Sequence, residues 1–359
     1  MKIGIITFHF VNNYGGALQA YALHEFIKKS FPDKCQIIDY RHWFIRLTDA
    51  IRMFPVAEPI KNFVPWTHTI HDRKERGRKF RRFIRTYGEL SEAHLTYRQL
   101  KSERDSFDLL ICGSDQIWNP LLTFGPAKAY FLKFAGTKTR KISYAASVGN
   151  PPCFKNRIAK YIRELDAVSI REKQEWLEKK ADLIPEHHID PTFLLNDEEW
   201  GKICAESVTE EPYILVYFMQ SNNAAYSAVK VIKQKLGYFV IDISRYGYAP
   251  DVVDQSLVNV GPEDFLGLFR NAAYVCTNSF HGFAFSIIFH KQFSFIPLKR
   301  FGYRIDALCS LFDIKRIASD GAAYYDIEYD PEFVAEVIQK ERCKALKYIR
   351  NNIIYDSGR

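Results

Sequence analysis

The cysteines of this chain form none of the patterns that would fix a small fold or bind a metal ion. There are seven among 359 residues, an odd number, and no two of them are spaced as C-x-x-C. This argues against a disulfide framework and against a zinc site. We therefore expect most of the cysteines to be small buried side chains, and we predict no metal centre.

Long hydrophobic runs are missing as well. No apolar stretch approaches the roughly 18 residues needed to cross a bilayer, and the longest, residues 283–289, is predicted to be a core helix. The apolar residues 3–8 at the start are too short for the core of a signal peptide. We expect a cytoplasmic protein, either soluble or peripheral at the cytoplasmic (inner) membrane.

The glycine motifs of common nucleotide sites are absent. Neither G-x-G-x-x-G nor G-x-x-x-x-G-K occurs, so binding of a nicotinamide cofactor or ATP has little support. The sequence also has no internal repeat and no low-complexity stretch.

Positive charge is in excess. The formal net charge is +8, and part of it is concentrated in residues 71–85. Such a run is typical of a solvated helix face, but it could also contact an anionic membrane surface. We predict no nucleic-acid partner.

Strand-like and helix-like segments alternate along the chain, which indicates an α/β fold. Residues 189–195 lead into the polar stretch 196–199, the predicted domain boundary. We expect two Rossmann-like domains, 1–195 and 196–330, whose mostly parallel sheets face a cleft, and a helix over 331–359 that packs back across them. Ligands of such sheets bind beyond the carboxyl ends of the strands.

One segment stands out as a candidate anion site. After the strand-like residues 273–275, the sequence Thr277-Asn278-Ser279-Phe280-His281-Gly282 places a hydroxyl, an imidazole and a glycine at a predicted helix start. Free N–H groups and the helix dipole favour anions there, and a histidine exchanges protons near neutral pH. The alternative is that His281 is a satisfied structural histidine.

Two further segments follow predicted strands in the first half. Asn13-Tyr14-Gly15-Gly16 opens a helix, and Asn13 and Gln19 could hydrogen-bond a ligand there; a tight turn with packing glycines is the alternative. Asp115, in Cys112-Gly113-Ser114-Asp115, is the best candidate for a general base, unless it caps a helix. Trp118 could stack on a ligand or lie in the core.

Arg171 is a candidate partner for a carboxylate or phosphate, since its planar fork of donors matches both groups. An ion pair with Glu172 or Glu175 is the alternative.

Together, residues 12–23, 112–119, 169–172 and 277–282 resemble the polysaccharide pyruvyl transferase family, and the resemblance covers nearly the whole chain. It implies transfer of a pyruvyl group from phosphoenolpyruvate to a sugar, as a ketal bridging two hydroxyls, in a GT-B-like fold. Phosphoenolpyruvate would be a co-substrate and no cofactor is implied. The acceptor would be a hexose of a capsule or exopolysaccharide, or of its polyprenyl-diphosphate-linked precursor.

The resemblance also suggests roles for single residues and for the two domains. The C-terminal domain would bind the donor and the N-terminal domain the acceptor. The implied residues are His281 and Asp115 for catalysis, Arg171, Ser279, Arg304 and Lys299 for the donor, and Asn13, Tyr14, Gly15, Gly16, Gln19 and Trp118 for the acceptor.

The chain departs from the family at one position. Many members have an arginine two residues before the histidine, where this chain has Ser279. The replacement cation would be Arg304 first, Lys299 second and Arg316 third.

Two other functions stay open on the sequence. One is a GT-B-like glycosyltransferase that uses a nucleotide sugar, and the other is a non-catalytic sugar-binding component of a polysaccharide assembly complex. The acceptor hexose, the bridged hydroxyls, a lipid linkage and the oligomeric state also stay open.

Overall fold

The structure is a computed structural model that describes residues 1–31, 34–52, 66–149, 153–220, 223–243, 250–297, 302–319 and 324–354. The strands are β1 Lys2–Ile6, β2 Lys34–Ile37, β3 Leu109–Cys112, β4 Arg140–Ser143, β5 Ser169–Ile170, β6 Glu186–His187, β7 Tyr213–Tyr217, β8 Phe239–Asp242, β9 Gln255–Ser256, β10 Tyr274–Thr277, β11 Phe293–Phe295, β12 Lys315–Ala318 and β13 Tyr325–Glu328. The helices are α1 Tyr14–Ser30, α2 Trp43–Arg52, α3 Trp66–Tyr87, α4 Tyr97–Leu100, α5 Lys155–Ile162, α6 Glu175–Ala181, α7 Asp197–Gly201, α8 Asn223–Leu236, α9 Pro262–Asn271, α10 Phe280–Ile288, α11 Gly302–Leu311 and α12 Pro331–Ile354.

The chain divides into two compact units, between Leu195 and Asn196 in the middle of the sequence. Unit 1 comprises Met1–Glu58, Phe80–Leu195 and Lys340–Arg359, and unit 2 comprises Pro59–Lys79 and Asn196–Gln339.

Unit 1 is built on a four-stranded parallel sheet with the strand order β2-β1-β3-β4. All four residues of β3 are buried, as are four of the five residues of β1. Continuous apolar strands of this kind are typical of parallel sheets covered on both faces. The short parallel pair β5-β6 continues from β4 through the bridge between Ile142 and Ala167.

Unit 2 contains a seven-stranded sheet with the order β12-β13-β11-β10-β7-β8-β9. Its strands β11, β10, β7, β8 and β9 pair in parallel, whereas β13 and β12 form an antiparallel edge. Every residue of β7 is buried, and helix α8 packs Val229 and Ile232 into the core of this unit.

The structure confirms the predicted α/β fold with mostly parallel sheets, and it moves some local boundaries. Helix α1 begins at Tyr14, so both glycines lie in its first turn rather than in the preceding loop. Residues Pro191–Leu194, just before the predicted domain boundary, form a short 3-10 helix. The basic residues 71–85 lie in α3, whose Phe83 and Ile84 are buried while Arg81 and Arg85 are exposed.

None of the helices described here is both long and apolar enough to span a membrane. The cysteines are free, and four of them, Cys35, Cys112, Cys276 and Cys309, are buried.

Candidate functional site

The turn between β10 and α10 in unit 2 is fixed by side chains that follow the strand. The Thr277 hydroxyl donates to the Tyr217 carbonyl at 2.8 Å and accepts the Ser279 N–H at 3.1 Å. Ser279 is the N-cap residue, with extended backbone, and its own side chain makes no capping bond. The Thr277 side chain therefore links the end of β10 to the end of the adjacent strand β7 by a hydrogen bond.

Asn278 adds two further hydrogen bonds between the same strand ends. Its Oδ1 accepts the Met219 N–H at 2.7 Å, and its Nδ2 donates to the Gln220 carbonyl at 2.7 Å. Both partners belong to the segment that follows β7, so these hydrogen bonds join the carboxyl ends of two neighbouring strands at the start of α10.

Gly282 allows the first turn of α10 to approach this surface. A Cβ at this position would lie 2.1 Å from Thr277 Oγ1 and 3.0 Å from Tyr217 Cδ1, which no larger residue can tolerate without a shift. The close approach also fixes His281, which is largely buried and packs edge-on against Phe280 with ring centroids 5.1 Å apart.

The amino end of α10 is suited to an anion. The first N–H groups of a helix have no intrahelical acceptor, and they coincide with the positive end of its dipole. The first turn of α10 contains no acidic residue that would compete with a ligand.

Arg304 brings a positive charge to this helix end. Its Cζ lies 5.6 Å from the centroid of the Phe280 ring, and Phe280 is the first residue of α10. Arg316 is engaged elsewhere, since its guanidinium donates to Asp306 at 2.7 Å. Lys299 lies outside the described residues. Of the two described candidates, only Arg304 is placed next to the histidine segment.

In unit 1, the turn after β3 presents Asp115. A Cβ on Gly113 would lie 2.1 Å from the Tyr144 carbonyl oxygen, so this position requires glycine. Asp115 itself has a φ of 64°, a left-handed conformation that aspartate adopts more readily than most residues. Its carbonyl accepts N–H groups from Ile117 at 2.8 Å and Ser147 at 2.9 Å. The helix-capping alternative is wrong, because residues 116–127 form turns and bends and no helix.

Gln19 holds this turn in place and is not an acceptor ligand. Its Oε1 accepts the Ser114 N–H at 3.0 Å, and its Nε2 donates to Thr7 Oγ1 at 2.9 Å and to the Gly16 carbonyl at 3.0 Å. The whole side chain is buried. The prediction that Gln19 binds the sugar is corrected accordingly: Gln19 positions Asp115 by tying α1 to the residue before it.

The start of α1 lies beside Asp115. Asn13 caps the helix by accepting the Gly16 N–H at 3.2 Å, and it remains half-buried. A Cβ on Gly16 would lie 2.9 Å from the Phe8 carbonyl oxygen and 3.8 Å from Asp115 Oδ2. Tyr14, Gly15 and Gly16 are buried, which agrees with the alternative that the glycines serve close packing. Among the residues 13–16, Asn13 therefore stays the candidate for contact with the acceptor.

Trp118 lies in the core of unit 1. Its Nε1 donates to the Tyr130 carbonyl at 2.8 Å, and its ring stacks on Phe131 with centroids 5.5 Å apart and planes 6° apart. With 1% of its surface exposed, it offers no face to a sugar, which corrects the predicted stacking role.

Arg171 is buried in an ion-pair network at the carboxyl end of β5. Its Nη1 donates to Asp190 Oδ2 at 2.6 Å and its Nε to Glu172 Oε1 at 2.7 Å. Burial lowers the pKa of Arg171, but the carboxylates of Glu172, Asp190 and Asp115 outweigh it and raise the pKa overall. Arg171 thus lies within electrostatic reach of Asp115, and the ion-pair alternative describes its direct contacts.

A second buried charge cluster at this edge of the sheet was missed. His9 Nε2 is 2.9 Å from Asp39 Oδ1, and Arg41 binds the same carboxylate through Nε at 2.8 Å and Nη2 at 2.6 Å. Burial raises the pKa of Asp39, but the hydrogen bonds from His9 and Arg41 together have a larger effect in the opposite direction. The pKa of Asp39 therefore lies well below its usual range. The signal in the sequence was the polar residues His9, Asp39 and Arg41, which lie shortly after the ends of β1 and β2.

No group of three or more His, Cys, Asp or Glu side chains in the described part of the chain is arranged to hold a metal ion.

The fold has counterparts among solved structures. The chain is similar to UDP-GlcNAc 2-epimerase from Neisseria meningitidis bound to UDP-GlcNAc, with a TM-score of 0.50 and 10% identity over 99% of this chain and 100% of that one. It is also similar, with a TM-score of 0.41 and 10% identity, to a glycosyltransferase from Streptomyces sp. SF2575 complexed with thymidine diphosphate, over 98% of this chain and 99% of that one. No curated protein sequence matches the chain.

The first of these likenesses and the two sheets define a GT-B-like α/β protein with polar residues at the carboxyl ends of the strands in each unit. The model of one family, polysaccharide pyruvyl transferase, matches residues 13–299. The chain belongs to the polysaccharide pyruvyl transferase family.

Proposed function

We propose that this protein transfers the pyruvyl group of phosphoenolpyruvate to a hexose of a cell-surface polysaccharide, or of its lipid-linked precursor, forming a ketal and releasing phosphate. The observation that carries the proposal is the position of Arg304 beside Phe280, the first residue of α10 and the neighbour of His281, in a member of this family. The proposed site of the reaction is the cytoplasm.

The donor fits the chemistry of this helix end. Phosphoenolpyruvate carries a carboxylate and a phosphate, and the first N–H groups of α10 together with Arg304 offer donors and positive charge for both. Arg304 would then supply the cation that the family places at the position of Ser279. Arg171 would act only indirectly, since its own contacts are with carboxylates.

The reaction requires a proton donor and a proton acceptor. His281 would give a proton to the methylene carbon of the donor, so that positive charge develops on the central carbon and a sugar hydroxyl attacks it. A second hydroxyl then displaces phosphate, and the two C–O bonds of the ketal replace the C=C π bond and the C–O bond to phosphate. Asp115 would take the proton of an attacking hydroxyl, and Asn13 would orient the sugar. This chemistry requires no metal ion and no redox cofactor.

Thermal unfolding with added ligands tests the proposal. Phosphoenolpyruvate at one hundred times its Kd should stabilise the protein by about 2.7 kcal/mol. Stabilisation by a nucleoside diphosphate instead would favour a glycosyltransferase, and no response to either ligand would favour a non-catalytic sugar-binding protein.

Variants test the assigned roles. We expect His281→Gln and Asp115→Asn each to lower turnover by roughly 10²–10⁴-fold, the usual contribution of a general acid or base. Turnover near that of the wild type in both variants would show that these residues do not perform the chemistry.

A further inference from the structure

Unit 1 carries an exposed aromatic patch, which we define as Trp43, Phe44, Leu47, Leu121 and Phe124. Phe124 is 74% exposed, Leu121 59% and Trp43 53%. The Phe124 ring centroid lies 6.0 Å from that of Trp43 and 5.3 Å from that of Phe44, so α2 and the loop 119–125 present one continuous surface. Leu47 lies one turn after Trp43 on the same face of α2.

The loop that presents Phe124 is held in a defined shape. The Gly125 N–H donates to the Pro120 carbonyl at 2.8 Å, the Leu122 N–H to the Asn119 carbonyl at 3.1 Å, and the Thr123 hydroxyl to the Gly125 carbonyl at 2.7 Å. Phe124 has a φ of 51°, a left-handed conformation that is unfavourable for a bulky side chain. A bulky side chain that is held in this conformation and is also largely exposed points to a function for this loop.

The charge around the aromatic patch is positive. The segments that form the patch, residues 42–48 and 119–132, contain no aspartate and no glutamate, and the single acidic residue of α2, Asp49, follows the first segment. They contain Arg46 and Lys128, both exposed. Exposed aromatic and leucine side chains accompanied by cations are typical of surfaces that enter the headgroup region of a bilayer.

The aromatic patch also lies on the side of unit 1 where the acceptor is proposed to bind. Helix α2 follows β2, and the loop 119–125 follows β3 and the Asp115 turn. Both segments therefore leave the same carboxyl edge of the parallel sheet, on either side of β1.

We propose that the aromatic patch inserts into the surface of an anionic lipid bilayer and holds this edge of unit 1 at the membrane. Trp43 and Phe124 would enter the headgroup region while Arg46 and Lys128 contact lipid phosphates. A lipid-linked saccharide would then reach Asp115 from the bilayer surface. This last step rests on the proposed function, but membrane binding itself does not.

Sedimentation with vesicles tests the inference. The full-length protein is mixed with vesicles of phosphatidylglycerol and phosphatidylcholine, or of phosphatidylcholine alone. We expect binding to the anionic vesicles, at least about tenfold weaker partitioning for the double variant L121S/F124S, and weaker binding to phosphatidylcholine alone. Ile184→Ser is the matched control, because Ile184 is 92% exposed in the same unit and lies outside the patch, and it should bind as the wild type does.

Three results would overturn the inference. They are no binding by the wild type, equal binding by L121S/F124S, and an equal loss in Ile184→Ser. Light scattering distinguishes another occupant: a wild-type dimer that dissociates in L121S/F124S, without vesicle binding, would make the patch a surface for self-association. Thermal unfolding checks that L121S/F124S is folded, and Trp43→Ser serves as a second variant if it is not.

Turnover with a water-soluble saccharide separates this inference from the proposed function. L121S/F124S should keep wild-type turnover with that acceptor. If the wild type binds vesicles but shows no pyruvyl transfer, the membrane inference stands and the proposed function fails.

Discussion

Replacing Arg171 by alanine should destabilise unit 1 strongly. The guanidinium lies 2.6 Å from Asp190 Oδ2 and 2.7 Å from Glu172 Oε1, and all three side chains are buried. Arg171→Ala would leave two buried carboxylates without their cation, which costs about 3–5 kcal/mol. For a unit of this size we expect Tm to fall by roughly 10 °C.

Urea unfolding of Arg171→Ala beside Arg104→Ala measures this effect. Arg104 is also paired with an aspartate in unit 1, with Nε 3.3 Å from Asp105 Oδ2, but both side chains are exposed. Such a pair contributes at most about 1 kcal/mol. If Arg171→Ala were as stable as Arg104→Ala, and phosphoenolpyruvate no longer stabilised it, Arg171 would bind the donor directly and the ion-pair interpretation would be refuted.

Single contacts determine the expected effects of three further substitutions. Gly282→Ala should lower the free energy of unfolding by roughly 1–3 kcal/mol, because its Cβ would meet Thr277 Oγ1 at 2.1 Å; an unchanged urea midpoint would contradict this. Arg304→Ala should weaken the binding of phosphoenolpyruvate at least about tenfold in calorimetry, whereas equal losses in Arg304→Ala and Arg316→Ala would remove the special role of Arg304. Burial lowers the pKa of His188 from 6.5 to about 3. As the pH falls below 6.5, His188 therefore takes up a proton in the unfolded chain but not in the folded protein, and the free energy of unfolding decreases by at most about 1.4 kcal/mol per pH unit. Urea unfolding of His188→Gln should show a flatter dependence on pH, and a slope equal to that of the wild type would contradict the assignment.

The sequence predicted the segments whose signals are local. The strand-like residues 273–275 overlap β10, and the helix predicted over 331–359 matches α12 as far as Ile354, the last described residue. Helix α12 begins with proline, a residue favoured in the first turn. The antiparallel edge formed by β12 and β13 was not predicted. All four residues of β12 are exposed, so no buried face imposes a pattern on its sequence.

The roles of single residues were harder to predict, because partners distant in sequence decide them. Gln19 is occupied by Ser114, 95 residues away, and Arg171 by Asp190, 19 residues away. An amide or a guanidinium at a strand end looks the same in sequence whether its partner is a ligand or a buried protein group. The helix start at Ser279 and His281 was predicted because a strand and a glycine in the first helical turn are both visible within a few residues of sequence, whereas the catalytic and donor-binding roles of these residues stay predictions.

The central claim is tested most directly by phosphate release from phosphoenolpyruvate in the presence of galactosides, glucosides and N-acetylhexosaminides, with mass spectrometry of each saccharide. The account predicts release that depends on one acceptor, together with a pyruvyl ketal on that sugar, and loss of both in His281→Gln. Absence of release with every acceptor, lipid-linked ones included, in a protein that a nucleoside diphosphate stabilises would contradict it.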